Sequence, residues 1–204
     1  MNITEIDNKK DLFLIENLVT EELMDKLSKV VLEDIPSIPS PGQEHFERRR
    51  LVFSSGSVFE QIEACIDSHK ESIGAVINKS ITRIVAVYWL DFPGFQVMPH
   101  FDNSAVHSVM QIYLKDCDDM GTVFYNPALG DIEIRDDTQR VHYTADLTPR
   151  HLDNLPIRYT YECKKNTGYL MVNNDNQLHG VPNKQPEGKL RLSAYCYLHF
   201  EENE

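Results

Sequence analysis

The stretch Met98-Pro99-His100-Phe101-Asp102 decides how the rest of this chain is read. His100 and Asp102 stand two positions apart, so on an extended strand both side chains face the same way. Far downstream, Leu178-His179-Gly180-Val181-Pro182 supplies another imidazole. Two imidazoles and one carboxylate on one side of a metal ion, with the remaining positions open, form the ligand set of non-haem Fe(II) sites.

A lone His-x-Asp is a weak signal, and the chain carries a second, His151-Leu152-Asp153. That copy sits in a polar, proline-flanked stretch with no strand before it. It ends only 26 positions before His179 (179 − 153), too few for the strands that separate the pieces of a sheet-borne site. It reads as a loop turn. His100-Phe101-Asp102 has the opposite context, with a strand before it and at least four strand candidates between it and His179.

Ile81 to Phe92 is rich in β-branched and aromatic residues and reads as a long strand, turned by Pro93-Gly94 into a second over Phe95 to Phe101. Val109 to Leu114, Gly121 to Tyr125, Arg158 to Cys163, Tyr169 to Val172 and Leu190 to Phe200 follow as further strands. Upstream, Asp11 to Ile15 has strand character. Thr20, Glu21 and Glu22 open an amphipathic helix over about 21–32. Three prolines between Ile35 and Gly42 mark a loop. Ser57 and Glu60 have capping-box spacing, and the apolar stripe from Val58 to Ile77 predicts one long helix covering a sheet. His69 falls on that stripe and reads as a core or boundary histidine.

The length of 204 residues fits one domain over 1–204, with helical support over about 1–80 and a strand-built core over about 81–200. Residues of about 127–157 form a polar, weakly patterned insertion with the character of a lid. These elements describe an α+β domain, a helix-backed β-sandwich or jelly roll. A net charge of −12 works against a phosphate-tracking surface, and Arg48-Arg49-Arg50 reads first as a solvated charge run. No apolar run is long enough to span a membrane, and no signal peptide is visible. The cysteines, Cys65, Cys117, Cys163 and Cys196, form no CxxC pair and suit a reduced, cytoplasmic setting.

The last strand separates two faces: Arg191, Ser193, Tyr195, Tyr197 and His199 on one, and Leu190, Leu192, Ala194, Cys196 and Leu198 on the other. The first face is spaced to line a pocket and the second to pack. By the same alternation Tyr113 shares a face with Val109 and Gln111.

Taken in chain order, several features resemble the catalytic domain of prolyl 4-hydroxylase-like Fe(II)/2-oxoglutarate-dependent dioxygenases over about residues 80–200. They are the His-x-Asp at a strand end, Tyr113-Leu114, Gly121-Thr122-Val123-Phe124, Gly168 opening an apolar strand, His179-Gly180-Val181-Pro182, and Arg191 with Ser193. The resemblance implies a double-stranded β-helix, or jelly roll, with the N-terminal helices packed on one sheet. It implies Fe(II) held by His100, Asp102 and His179, with 2-oxoglutarate and O2 as cosubstrates. Arg191 would pair with the distal carboxylate of 2-oxoglutarate, where the guanidinium fork matches two oxygens. Ser193 and Tyr113 would add hydrogen bonds, and Tyr88 would approach the cosubstrate from the strand before the metal pair. The implied reaction hydroxylates a C–H bond and releases succinate and CO2, on a peptidyl proline first and on a free amino acid or small metabolite second. A nucleic-acid demethylase and a non-catalytic jelly-roll binding module remain as further alternatives.

Overall fold

The computed structural model describes residues 1–39, 47–102, 107–126, 155–174 and 177–201. Most of the polar stretch 127–157, with His151 and Asp153, lies outside the described residues. The chain opens with a hairpin of β1 (Asn2–Glu5) and β2 (Leu12–Glu16), followed by α1 (Glu21–Ser28). Thr20 caps α1 by accepting the Leu23 N–H, as a threonine ahead of an acidic first turn should.

Next come β3 (Ser37–Pro39), β4 (Arg48–Leu51), α2 (Val58–Asp67), α3 (Lys70–Ile77) and β5 (Ile81–Asp91). The strands β6 (Val97–His100), β7 (Ser108–Tyr113), β8 (Val123–Tyr125), β9 (Ile157–Thr160), β10 (Thr167–Val172), β11 (His179–Val181) and β12 (Arg191–Phe200) follow.

They form two antiparallel sheets. The larger has eight strands in the order β1-β2-β10-β7-β12-β5-β4-β3, and the smaller has four in the order β6-β11-β8-β9. Strand alternation sends each face of the large sheet to a different partner. On one face Ile84, Ala86, Tyr88, Leu90, Leu192 and Ala194 pack with Met24, Phe59, Ile62, Ile66 and Ile73 of the helices. On the other, Val109, Tyr113, Tyr169 and Met171 pack with Phe124, Tyr161 and Val181 from the small-sheet side. Each large apolar side chain buried in these layers contributes about 1.5–3 kcal/mol relative to exposure.

The helical stripe from Val58 to Ile77 is broken where one helix was expected. The Ser68 hydroxyl donates to the Cys65 carbonyl at 2.6 Å, and Asp67 Oδ1 accepts the Ile84 N–H at 2.7 Å. These bonds end α2 and pin it to β5, and His69 stands at the joint as the N-cap of α3. The proline-rich loop contains the short β3, which pairs with β4 at the sheet edge, where proline is tolerated. Arg48-Arg49-Arg50 is a strand of the large sheet, pairing with Asp91 to Trp89 of β5; Arg49 and Arg50 are exposed, as a solvated run requires, and Arg48 is half-buried.

Candidate active site

His100 ends β6 and His179 begins β11, and these strands pair so that the two residues lie directly opposite each other. Asp102 follows just beyond β6. The ligand atoms of His100, Asp102 and His179 all lie within 4.8 Å of one another. His100 Nε2 is 3.5 Å and His179 Nε2 3.9 Å from Asp102 Oδ1. These separations are long for hydrogen bonds and short enough for one ion to be shared.

The rings are oriented from behind. Nδ1 of His100 lies 2.9 Å from the Met98 carbonyl, and Nδ1 of His179 lies 2.8 Å from that of Gln177. A carbonyl can only accept, so each Nδ1 donates a proton to it and each Nε2 is the ring atom turned to Asp102, the arrangement that fixes metal-ligating histidines. Phe124 stacks on His179 with centroids 5.3 Å apart. The Tyr195 hydroxyl donates to Asp102 Oδ2 at 3.1 Å, leaving Oδ1 toward the imidazoles.

Electrostatics favour the ligating forms. Burial pushes the His179 imidazole down to about 4, against the pull of Asp102, so it is neutral at neutral pH. Burial alone would raise the Asp102 carboxyl, but His179, His100 and the Tyr195 hydroxyl outweigh it and hold the group well below the usual carboxylate range.

Gly180 makes this close approach possible. A Cβ there would stand 2.7 Å from the Val97 carbonyl oxygen and 2.9 Å from the Pro99 nitrogen. Only glycine lets β11 lie against β6 with its metal-facing histidine in register.

The triad opens into a pocket of about 170 Å³, lined also by Arg48, Trp89, Gln111, Tyr169, Arg191 and Tyr195. Arg191 is fully buried, and its Nη1 donates to Asp91 Oδ2 at 2.6 Å. Its Nε and Nη2 have no hydrogen-bond partner among the described residues. Those atoms form the side edge of the guanidinium, two parallel N–H groups matched to a carboxylate. A buried donor left unpaired costs about 1–3 kcal/mol, so this edge suits an anionic partner, and Arg191 is one of the residues lining the pocket. Ser193 is fully buried on the same strand face and accepts from Gln111 Nε2 at 3.1 Å, while Gln111 Oε1 accepts the Tyr169 hydroxyl at 2.7 Å. Among the described residues no acceptor takes the Ser193 hydroxyl proton.

Two expected roles change. Tyr88 pairs with Ala194 in the β5–β12 register and so points to the helices. Its hydroxyl donates to the Phe59 carbonyl at 2.9 Å, and its ring packs on Phe53 and Phe59. The tyrosine lies one residue out of phase with the pocket, and Trp89 takes the pocket-lining place. Tyr113 is on the correct face, but its hydroxyl donates to Thr122 Oγ1 at 2.8 Å and accepts the Thr122 N–H at 2.9 Å. Thr122 thus engages the Tyr113 hydroxyl, and Tyr113 is not among the residues that line the pocket. Its ring instead lies 5.1 Å from the Arg191 guanidinium carbon.

Sequence reading missed Arg48 and Asp91. Their signal was a lone carboxylate at the end of the long apolar strand β5, which a buried site must neutralise.

No protein-family model matches this sequence, and no curated protein matches it. Solved structures do match in fold. A prolyl hydroxylase from Trichoplax adhaerens, in complex with a hypoxia-inducible-factor oxygen-degradation-domain peptide, aligns with a TM-score of 0.63 at 11% identity, covering 95% of this chain and 86% of that one. HygX from Streptomyces hygroscopicus, with nickel and 2-oxoglutarate bound, aligns with a TM-score of 0.61 at 15% identity over 95% and 85%. The viral collagen prolyl hydroxylase of Paramecium bursaria Chlorella virus-1, as its 2-oxoglutarate complex, aligns with a TM-score of 0.55 at 13% identity over 95% and 98%. At these identities the likeness establishes a shared fold.

Proposed function

We propose that this chain is an Fe(II)/2-oxoglutarate-dependent dioxygenase of the prolyl 4-hydroxylase-like branch, built on a double-stranded β-helix. One observation carries the reading. The His100, Asp102 and His179 triad lines the same pocket as the buried Arg191, whose Nε and Nη2 have no hydrogen-bond partner among the described residues. A facial triad suits non-haem iron, and the guanidinium edge suits the far carboxylate of a keto-acid ligand. With iron, 2-oxoglutarate and O2 bound, the chemistry supplied is conversion of the keto acid to succinate and CO2 with hydroxylation of a C–H bond.

The chain's own residues bind and orient. His100 and His179 offer their Nε2 atoms, and Asp102 offers Oδ1 while Tyr195 holds Oδ2. Arg191 and the Ser193 hydroxyl receive the distal carboxylate. Phe95, Phe124 and Tyr169, buried around this end, exclude water and strengthen each charge-assisted bond.

For the substrate we favour a peptidyl proline. Trp89, Tyr195 and Tyr197 line the pocket, with the Tyr195 and Tyr197 rings 5.1 Å apart and Tyr197 39% exposed. Extended proline-containing segments dock on such aromatic surfaces. A free amino acid or other small metabolite is the second reading. It is favoured by the match to HygX, also solved with nickel, 2-oxoglutarate and hygromycin B bound.

A mass-spectrometric screen for a one-oxygen gain, across proline-containing peptides, free amino acids and oligonucleotides, separates these readings. Oxygen gain matched by succinate on a proline peptide supports the first. Gain confined to a small molecule replaces it with the second. Gain on neither, or a methyl loss from an oligonucleotide, overturns the hydroxylase assignment.

A further inference from the structure

We propose that Arg48 is a positioning residue of the cosubstrate site. It occupies Asp91 so that the Nε/Nη2 edge of Arg191, a residue that lines the pocket, is left without a carboxylate and its charge stays uncompensated. The inference rests on reading the pocket as a 2-oxoglutarate site.

Three strands place the participants on one rung. Arg48 of β4 is the Cα partner of Asp91 of β5, which is in turn the partner of Arg191 of β12. Cross-strand partners share a face, so both arginines meet the carboxylate between them. Arg48 grips it side-on, Nε to Oδ1 at 2.6 Å and Nη2 to Oδ2 at 3.1 Å, while Arg191 reaches Oδ2 with Nη1 alone. Arg48 is also held by its surroundings, its guanidinium carbon 4.3 Å from the Phe95 ring centroid and 5.4 Å from that of Trp89.

The two arginines are therefore not equivalent. Arg48 has used on Asp91 the same edge that Arg191 keeps free. Without Arg48, Asp91 and Arg191 would be one acid facing one base, a neutral pair. Arg191 could then rotate its free edge onto Asp91 and close the bidentate pair that Arg48 now makes. With Arg48 present, two guanidinium groups share one carboxylate, and the cluster carries a charge of +1 beside the open edge. That surplus is matched to a ligand bearing a distal carboxylate. It offers nothing to a 2-oxo acid that lacks one.

Selectivity between two keto acids tests this. 2-Oxoglutarate and 2-oxopentanoate share the chain length and the metal-chelating end and differ at the distal carboxylate. Each is titrated, with oxygen excluded, into Fe(II)-loaded wild type, Arg48→Met and Arg48→Lys. Methionine keeps an apolar stem against Phe95, and lysine keeps the charge without the fork. Arg48→Met is expected to weaken 2-oxoglutarate by roughly 10- to 100-fold, within the range for removing one partner of a buried charge pair, and to leave 2-oxopentanoate unchanged. Arg48→Lys is expected to recover part of the discrimination. Equal weakening of both acids would make Arg48 merely structural, and undiminished discrimination in Arg48→Met would also overturn the proposal. Should Arg48→Met fail to fold, Arg48→Lys decides alone: a selective loss of several-fold supports the role and wild-type discrimination removes it. Wild-type protein that binds the two acids equally would instead sink the 2-oxoglutarate reading itself.

Discussion

His100 and His179 are directly opposed across the antiparallel pair β6 and β11, with ring centroids 4.6 Å apart, although 79 positions separate them in sequence (179 − 100). The candidate metal site is thus a property of strand register. Replacing His100, Asp102 or His179 by alanine is expected to weaken Fe(II) or Mn(II) binding by more than about 100-fold, since even the outer partners of metal ligands are worth about 10- to 100-fold. His151→Ala and Asp153→Ala should leave metal affinity intact. Equilibrium dialysis against the metal checks both, and the reverse pattern would mean that the other His-x-Asp is the ligand pair.

Because register is held by close backbone contact at Gly180, Gly180→Ala should act on the site without removing a ligand. The added methyl meets backbone atoms of Val97 and Pro99, which cannot rotate away. Overpacking of this kind costs about 1–3 kcal/mol. Thermal unfolding should show that loss, and dialysis should show weaker metal binding in the fraction that remains folded.

In the proposed reading Arg191 receives the cosubstrate and does not touch the triad, so its loss should separate the two affinities. Arg191→Ala is expected to leave Fe(II) affinity near that of wild type and to weaken 2-oxoglutarate by about 2–5 kcal/mol, roughly 30-fold to several thousand-fold. Arg191→Lys should restore part of this, since charge survives and the planar fork does not. An unchanged dissociation constant for 2-oxoglutarate in Arg191→Ala, measured with iron bound and oxygen excluded, would remove the assignment.

Away from the site, Arg158 on β9 donates to Asp7 through Nε and Nη2 and to Asp11 through Nη2, tying the N-terminal hairpin to the small sheet. Arg158→Met removes the guanidinium partner of the partly exposed Asp7 and leaves Asp11 to the Asn174 amide, and should destabilise the fold by about 1–3 kcal/mol at neutral pH. The hydrogen bond from Arg158 holds the Asp7 carboxyl below its ordinary value of 3.8. A depressed carboxyl contributes stability above its unfolded pKa, and that contribution is lost as pH falls through the lower folded value. The difference between wild type and Arg158→Met should therefore shrink as pH falls below about 3.8. Denaturant titrations across that range check it, and a constant difference would count against the ion pair.

The separation of faces along β12 was legible because one residue in two points each way, and Arg191, Ser193 and Tyr195 lie where that alternation puts them. His100, Asp102 and His179 were legible from chemistry, since few other uses bring these residue types together around a glycine-bearing strand. Tyr88 was misplaced because sequence spacing does not give register. Its neighbour Trp89 differs only in parity, and parity was set by pairing with Ser193. Arg48 was invisible for a related reason. A run of arginines looks solvated until a partner strand presents Asp91 to it, and that pairing is long-range. The break at Ser68 and His69 was hidden because Ser68 and Asp67 act through hydrogen bonds to Cys65 and Ile84, which apolar periodicity does not report.

The central claim is that one pocket holds both a metal triad and a carboxylate-binding edge. Anaerobic calorimetric titration of 2-oxoglutarate into the protein, with and without Fe(II), tests it most directly, with Asp102→Ala alongside. The account predicts 1:1 binding that Fe(II) strengthens in wild type and fails to strengthen in Asp102→Ala. Binding of equal strength with and without the metal, or no binding to the iron-loaded protein, would contradict it.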